Sequence, residues 1–101
     1  MLLDQIETEL ELSERHLLVL KKVIEAGPIG ILKLSEETGM QSHKVRYSLR
    51  VLEQAGLIKA SAQGAVPGDK VPAFLQAFDG ELKGIYEKLA RIKAIEVSIP
   101  K

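Results

Sequence analysis

Glycine and proline cut residues 27–70 into pieces that leave room only for short helices and one hairpin. The breaks fall at Gly27-Pro28, Gly39, Gly56, Gln63-Gly64 and Pro67-Gly68-Asp69. Proline cannot supply a helical N–H, and glycine alone enters the left-handed region freely, so each break marks a predicted end or turn. Beyond Asp69 the chain runs on with helical spacing to about residue 95.

Between the breaks, each segment has its own pattern. Leu2, Leu3, Ile6 and Leu10 recur at helical spacing, which predicts a short amphipathic helix over the first dozen residues. Ser13 is the expected N-cap of a second helical stretch, residues 14–26, with Glu14 in its first turn and Leu12 and Leu17 placed as a hydrophobic staple. Leu17, Leu18, Val19, Leu20, Val23 and Ile24 make that stretch a candidate for the centre of the core. A short helix is predicted over residues 31–38, ended by Gly39. Gln41 or Ser42 then caps a helix running to Ala55, closed by Gly56. Residues 57–61 read as a strand, Gln63-Gly64 as the turn and residues 65–66 as a very short return strand. The last helix begins between Asp69 and Ala73.

Composition narrows the class. At 101 residues, 46% apolar and 28% charged, the expectation is one ordinary globular core without a separate ligand-sensing domain. Four aromatics in all leave packing to Leu, Ile and Val. There is no cysteine, hence no disulfide, thiolate metal site or cysteine nucleophile. No long apolar run and no leader-like N-terminus are present, so no membrane partner is expected and a cytoplasmic location is.

The net charge of zero hides a partition. Residues 1–40 hold eight acids and four bases, residues 41–70 five bases and two acids, and residues 71–101 five bases and four acids. The basic excess of the middle third gathers on one predicted helix. With Val45 at the centre of its buried face and 100° per residue, Leu49 and Leu52 lie within about 40° of it and Ser48 within about 60°. His43, Tyr47, Arg50 and Gln54 lie within about 40° of the opposite side, with Arg46 on one shoulder and Lys44 on the other. An outward arginine can pair with a guanine edge, and Gln41, Ser42 or Lys44 can hold a phosphate. A solvated charged face is the plain alternative.

Two helices joined by a short glycine turn form a helix-turn-helix unit. The stretch "LLVLKKVIEAGPIGILKLSEETGMQSHKVRYSLRVLEQAGLIKASAQGAV" resembles the winged helix-turn-helix domain of prokaryotic transcriptional regulators. Its most specific part, "VRYSLRVLEQAGLI", is similar to the family's recognition helix, ending Leu-x-x-Leu-Glu-x-x-Gly-Leu-Ile. The resemblance covers about residues 13–71, and the long helix beyond looks like that of small dimeric prokaryotic or archaeal regulators. It implies a mainly α fold with a small β-hairpin wing. Residues 1–71 would be the DNA-binding domain including the N-terminal helix, and residues 72–101 a C-terminal dimerisation helix and tail. It further implies a homodimeric, sequence-specific regulator in which Gln41, Ser42, His43, Arg46 and Tyr47 would face bases or backbone; Lys44 and Arg50, basic residues of the same helix, are the further DNA-binding candidates. The wing departs from the pattern, since its tip Ser61-Ala62-Gln63-Gly64-Ala65 carries no charge. Gln63 either meets a phosphate or minor-groove edge or only makes the turn, with Lys59 and Lys70 near the hairpin base.

The final helix carries Leu75, Phe78, Leu82, Ile85, Leu89 and Ile92 at alternating spacings of 3 and 4, a heptad stripe. Its expected cover is a second copy, jointly with the N-terminal helix, although packing within its own chain would also bury it. No catalytic role is expected. His16 and His43 lie on different helices, Glu36 and Glu37 diverge, no phosphate loop occurs, and the serines lack an assignable base. His16 reads as a helix residue packed at a boundary. No metal or cofactor is expected, and no effector can be named. The competing class is a winged-helix module that binds protein and not DNA, which would carry apolar residues on the outer face of the basic helix.

Overall fold

The computed structural model describes residues 1–101. Its elements are α1 (Asp4–Ala26), α2 (Ile31–Thr38), α3 (Ser42–Gln54), β1 (Ile58–Ser61), β2 (Gly64–Pro67) and α4 (Val71–Ser98). Three helices, an antiparallel hairpin and a long last helix make a mainly helical, winged-helix-like layout. The chain divides into two compact units, Met1–Val71 and Pro72–Lys101. No helix is long and apolar enough to cross a membrane.

One expected break is absent. The N-terminal helix and the stretch after Ser13 are a single helix of 23 residues. Ser13 caps nothing; its hydroxyl donates to the Glu9 carbonyl one turn back, at 3.0 Å. A serine can bond backward inside a helix as readily as forward at its start, and no glycine or proline forces a stop between Asp4 and Ala26. Thr8 does the same to Asp4 at 3.0 Å.

The core is built where the apolar faces of the three helices converge. Val19, Leu20 and Val23 of α1, Leu34 of α2, and Val45 and Leu52 of α3 are buried, with Leu57, Ile58 and Ala65 closing from the hairpin side. Only the last two turns of α1 reach this core. Leu17, Leu18 and Ile24, expected inside, are exposed, as are Leu3, Ile6 and Leu10. Burying Val19, Leu20 and Val23 already uses the inward face of α1, and 100° per residue leaves Leu17 and Leu18 beside it.

Gly39 and Gly56 end α2 and α3 in the left-handed region, at φ 73° and 76°, as their positions predict. The Gly56 carbonyl then accepts from the Lys70 N–H at 3.1 Å, and the Leu57 carbonyl from Gly68 at 2.8 Å. The base of the hairpin is thereby tied to the end of α3.

The hairpin is tighter than expected. Ser61 pairs with Gly64 and Ile58 with Pro67, so Gly64 opens β2 and the loop is Ala62-Gln63. The Ser61 hydroxyl, donating to the Gly64 carbonyl at 2.6 Å, braces this turn. The connection between α1 and α2 is more than a linker. Ile29 exchanges two backbone bonds with Ala65, at 3.1 and 2.8 Å, and so adds a third edge to the hairpin. That approach requires Gly64, at φ 131°, because an added Cβ would sit 2.5 Å from the Ile29 carbonyl carbon. Gly64→Ala is therefore expected to lower stability by roughly 1–3 kcal/mol, read as a reduced urea midpoint at unchanged m-value.

Candidate nucleic-acid interface

α3 comes after α2 with three connecting residues between them, and its orientation is set by what it buries. Val45, Ser48 and Leu52 face the core, Leu49 and Val51 are half-buried, and His43, Lys44, Arg46, Tyr47, Arg50 and Gln54 are exposed. The 100° rotation separates these sets as the sequence implies. Gln41 occupies the N-cap position, but its side chain makes no capping bond. Its carbonyl instead accepts the first helical bonds, from Lys44 at 3.0 Å and Val45 at 3.1 Å. Gln41 is exposed and Ser42 half-buried, which leaves the open N–H groups of the first turn accessible to an acceptor from outside.

The cations on this face have no internal partners. Every ion pair of the chain lies elsewhere, and Lys44, Arg46 and Arg50 enter none. Arg50 stands 6.0 Å from the centre of the Tyr47 ring, the outer limit of a cation–π contact. Lys59, near the hairpin base, donates to Asp69 at 2.8 Å. Lys70 lays its aliphatic stem against Gly56. Gln63 is exposed at the hairpin tip. Between α3 and the hairpin runs an open groove of about 640 Å³, with Arg46 and Arg50 on one wall and Lys59 and Gln63 on the other.

A histidine that the sequence marks only as a boundary residue belongs beside this surface. His16 of α1 places Nδ1 at 2.8 Å from the hydroxyl of Ser48, the polar residue on the buried face of α3. Its ring centre is 5.7 Å from that of Tyr47. His16 thus fastens α1 to α3 and backs the exposed tyrosine, which in turn neighbours Arg50. The signal in the sequence is Ser48 itself, a hydroxyl that the helical rotation turns toward the buried face, where it needs a partner.

Burial pushes the His16 pKa below the usual imidazole range; Arg15 pushes it further down, and Glu9 partly opposes them. The unfolded chain therefore binds more protons here than the folded one below 6.5, the ordinary value for this ring. The stability tied to neutral His16 is complete above that value and is lost as pH falls through the folded pKa. The urea midpoint is expected to fall as the pH is lowered from about 7 through the ordinary imidazole range, and His16→Gln to flatten that dependence. An unchanged slope in the variant would assign the effect to other groups.

Compared with known proteins, the chain matches no family model and no curated sequence.

Proposed function

We propose that the chain is a sequence-specific DNA-binding protein of the winged helix-turn-helix class, a transcriptional regulator acting as a homodimer with α3 in the major groove. One observation carries this reading: the exposed, unpaired row of His43, Lys44, Arg46, Tyr47 and Arg50 on the second helix of a helix-turn-helix unit. Three cations left without carboxylates around the outward half of one helix of a neutral protein favour a polyanion as the counterpart. An α-helix fits the major groove, where arginine can pair bidentately with guanine O6 and N7. Gln41, Ser42 and Lys44 sit where the first turn of such a helix meets phosphate.

The apolar stripe of α4 supports the homodimer part, because Leu75, Ile85, Leu89 and Ile92 are exposed along it. A contiguous apolar strip of this kind is normally covered in solution, and a two-fold pair suits a palindromic site.

The wing has a subordinate role in this reading. Its tip carries Gln63 and no charge, so Gln63→Arg is expected to strengthen binding to random and selected duplexes alike and to steepen the salt dependence. A sharp loss of selected-site binding in that variant would instead make the glutamine a base reader. The function itself is tested by selecting a site from random duplexes and titrating it in gel shifts. Enrichment of one sequence supports a regulator, and a protein that retains no duplex overturns the proposal.

A further inference from the structure

The stripe on α4 carries information about how it is covered. Leu75, Phe78, Leu82, Ile85, Leu89 and Ile92 occupy the alternating seam positions of successive heptads. Along one edge of this seam run Phe74, Glu81, Lys88 and Ile95, and along the other Asp79, Tyr86 and Lys93. Gly80 and Gly84 fall away from it, and a Cβ built on either meets nothing within 4 Å. Tyr86 and Ile95, at the edges, are 64% and 63% exposed.

The edges discriminate between the two ways in which a pair of such helices can align. In a parallel pair, a residue on one edge meets the partner's opposite edge in the following heptad. Lys88 would then face the partner's Lys93, and symmetry would repeat that repulsion. Phe74 would face the partner's Asp79. In an antiparallel pair the two kinds of seam position oppose each other, and each edge meets the same edge of the partner. A single register then matches every apolar seam residue. Leu75 meets the partner's Ile92, Phe78 the partner's Leu89, and Leu82 the partner's Ile85. The same register sets Glu81 against the partner's Lys88, Asp79 against the hydroxyl of the partner's Tyr86, and Phe74 against the partner's Ile95. Seam and edges are thus complementary together in this one alignment.

We infer that two copies of the chain pair through α4 in antiparallel orientation, in the register that joins Leu75 to the partner's Ile92. The inference rests on the homodimer of the proposed function and adds its geometry. The occupant of the stripe is a second copy because the apolar spacing and the opposite charges match the helix to its own reverse.

The native chain has no cysteine, so introduced thiols report alignment without background. Leu75→Cys and Ile92→Cys are made separately, each at an exposed position near one end of the stripe. They are mixed, allowed to exchange subunits under reducing conditions, and then oxidised. The expected product is the mixed disulfide between the two variants, with little cross-linking of either variant alone. Efficient cross-linking of each variant to itself would establish parallel pairing and overturn the orientation while the dimer stood. A dimeric mass with no cross-link in any mixture would show that the seam lies elsewhere, overturning the inference. A light-scattering mass of 11.1 kDa would remove the dimer as well.

A charge exchange makes a second readout. Glu81→Lys is expected to weaken self-association about tenfold, by replacing two attractive contacts with two repulsive ones. Adding Lys88→Glu to it is expected to restore the association. In the parallel pair Glu81 faces Tyr86 and Lys88 faces Lys93, so the first change would do little and the second would strengthen association beyond the wild type by removing that repulsion.

Discussion

Arg46→Ala and Arg50→Ala are each expected to weaken binding to a selected duplex by about 1–3 kcal/mol, roughly fivefold to more than a hundredfold. The expectation comes from position. Both side chains are exposed on α3, neither is held by a carboxylate, and both line the groove between α3 and the hairpin. The free guanidinium is therefore available to a base edge or phosphate without first breaking an internal bond. The same absence of partners protects the fold. Each variant should unfold within about 0.5 kcal/mol of the wild type, so lost binding would not be lost structure. The two arginines are one helical turn apart, and the double variant need not show the sum of the single effects. Unchanged affinity in both single variants, in gel-shift titrations at fixed salt, would remove α3 from the interface.

Leu82→Glu combined with Leu89→Glu is expected to convert the protein from a dimer to a monomer of 11.1 kDa in light scattering at micromolar concentration. In the antiparallel register each substitution acts twice, so charges enter the layers formed by Leu82 and Ile85 and by Phe78 and Leu89 on both halves of the seam. Burial of this surface contributes about 25 cal/mol per Å² before association costs, and a carboxylate placed in it without a partner reverses the sign. DNA affinity should fall with the dimer, since two recognition helices held about one helical turn apart bind a palindrome far better than one. A variant that remained dimeric would place the interface elsewhere on the chain.

Much of the fold was legible because the informative signals are local. Gly39 and Gly56 end their helices through a backbone angle that only their own residue type adopts easily. The rotation of α3 is fixed by Val45, Leu49 and Leu52 alone, and it carried the outward set of His43, Tyr47 and Arg50 with it. The misses share a different cause. Ser13 has the same hydroxyl at a helix start and in a helix interior, and only the backbone on its N-terminal side decides between the two. Ile29 pairs with Ala65 through backbone groups, which no side-chain pattern encodes. His16 meets Ser48 across two helices, a juxtaposition set by how α1 crosses α3. The exposure of Leu17 and Leu18 has the same origin, because composition cannot tell how many turns of a helix the core can cover.

In the proposed function the unpaired basic face of α3 meets a polyanionic duplex. The most direct test of this contact is the affinity of the wild-type protein for a labelled random duplex, measured by fluorescence anisotropy across a salt series. With Lys44, Arg46 and Arg50 engaged from two chains, the logarithm of the association constant should fall linearly with the logarithm of salt concentration, at a slope of up to about −5. The double variant Arg46→Ala with Arg50→Ala should be visibly shallower. No saturable binding at low salt, or binding whose slope the double variant leaves unchanged, would contradict the claim.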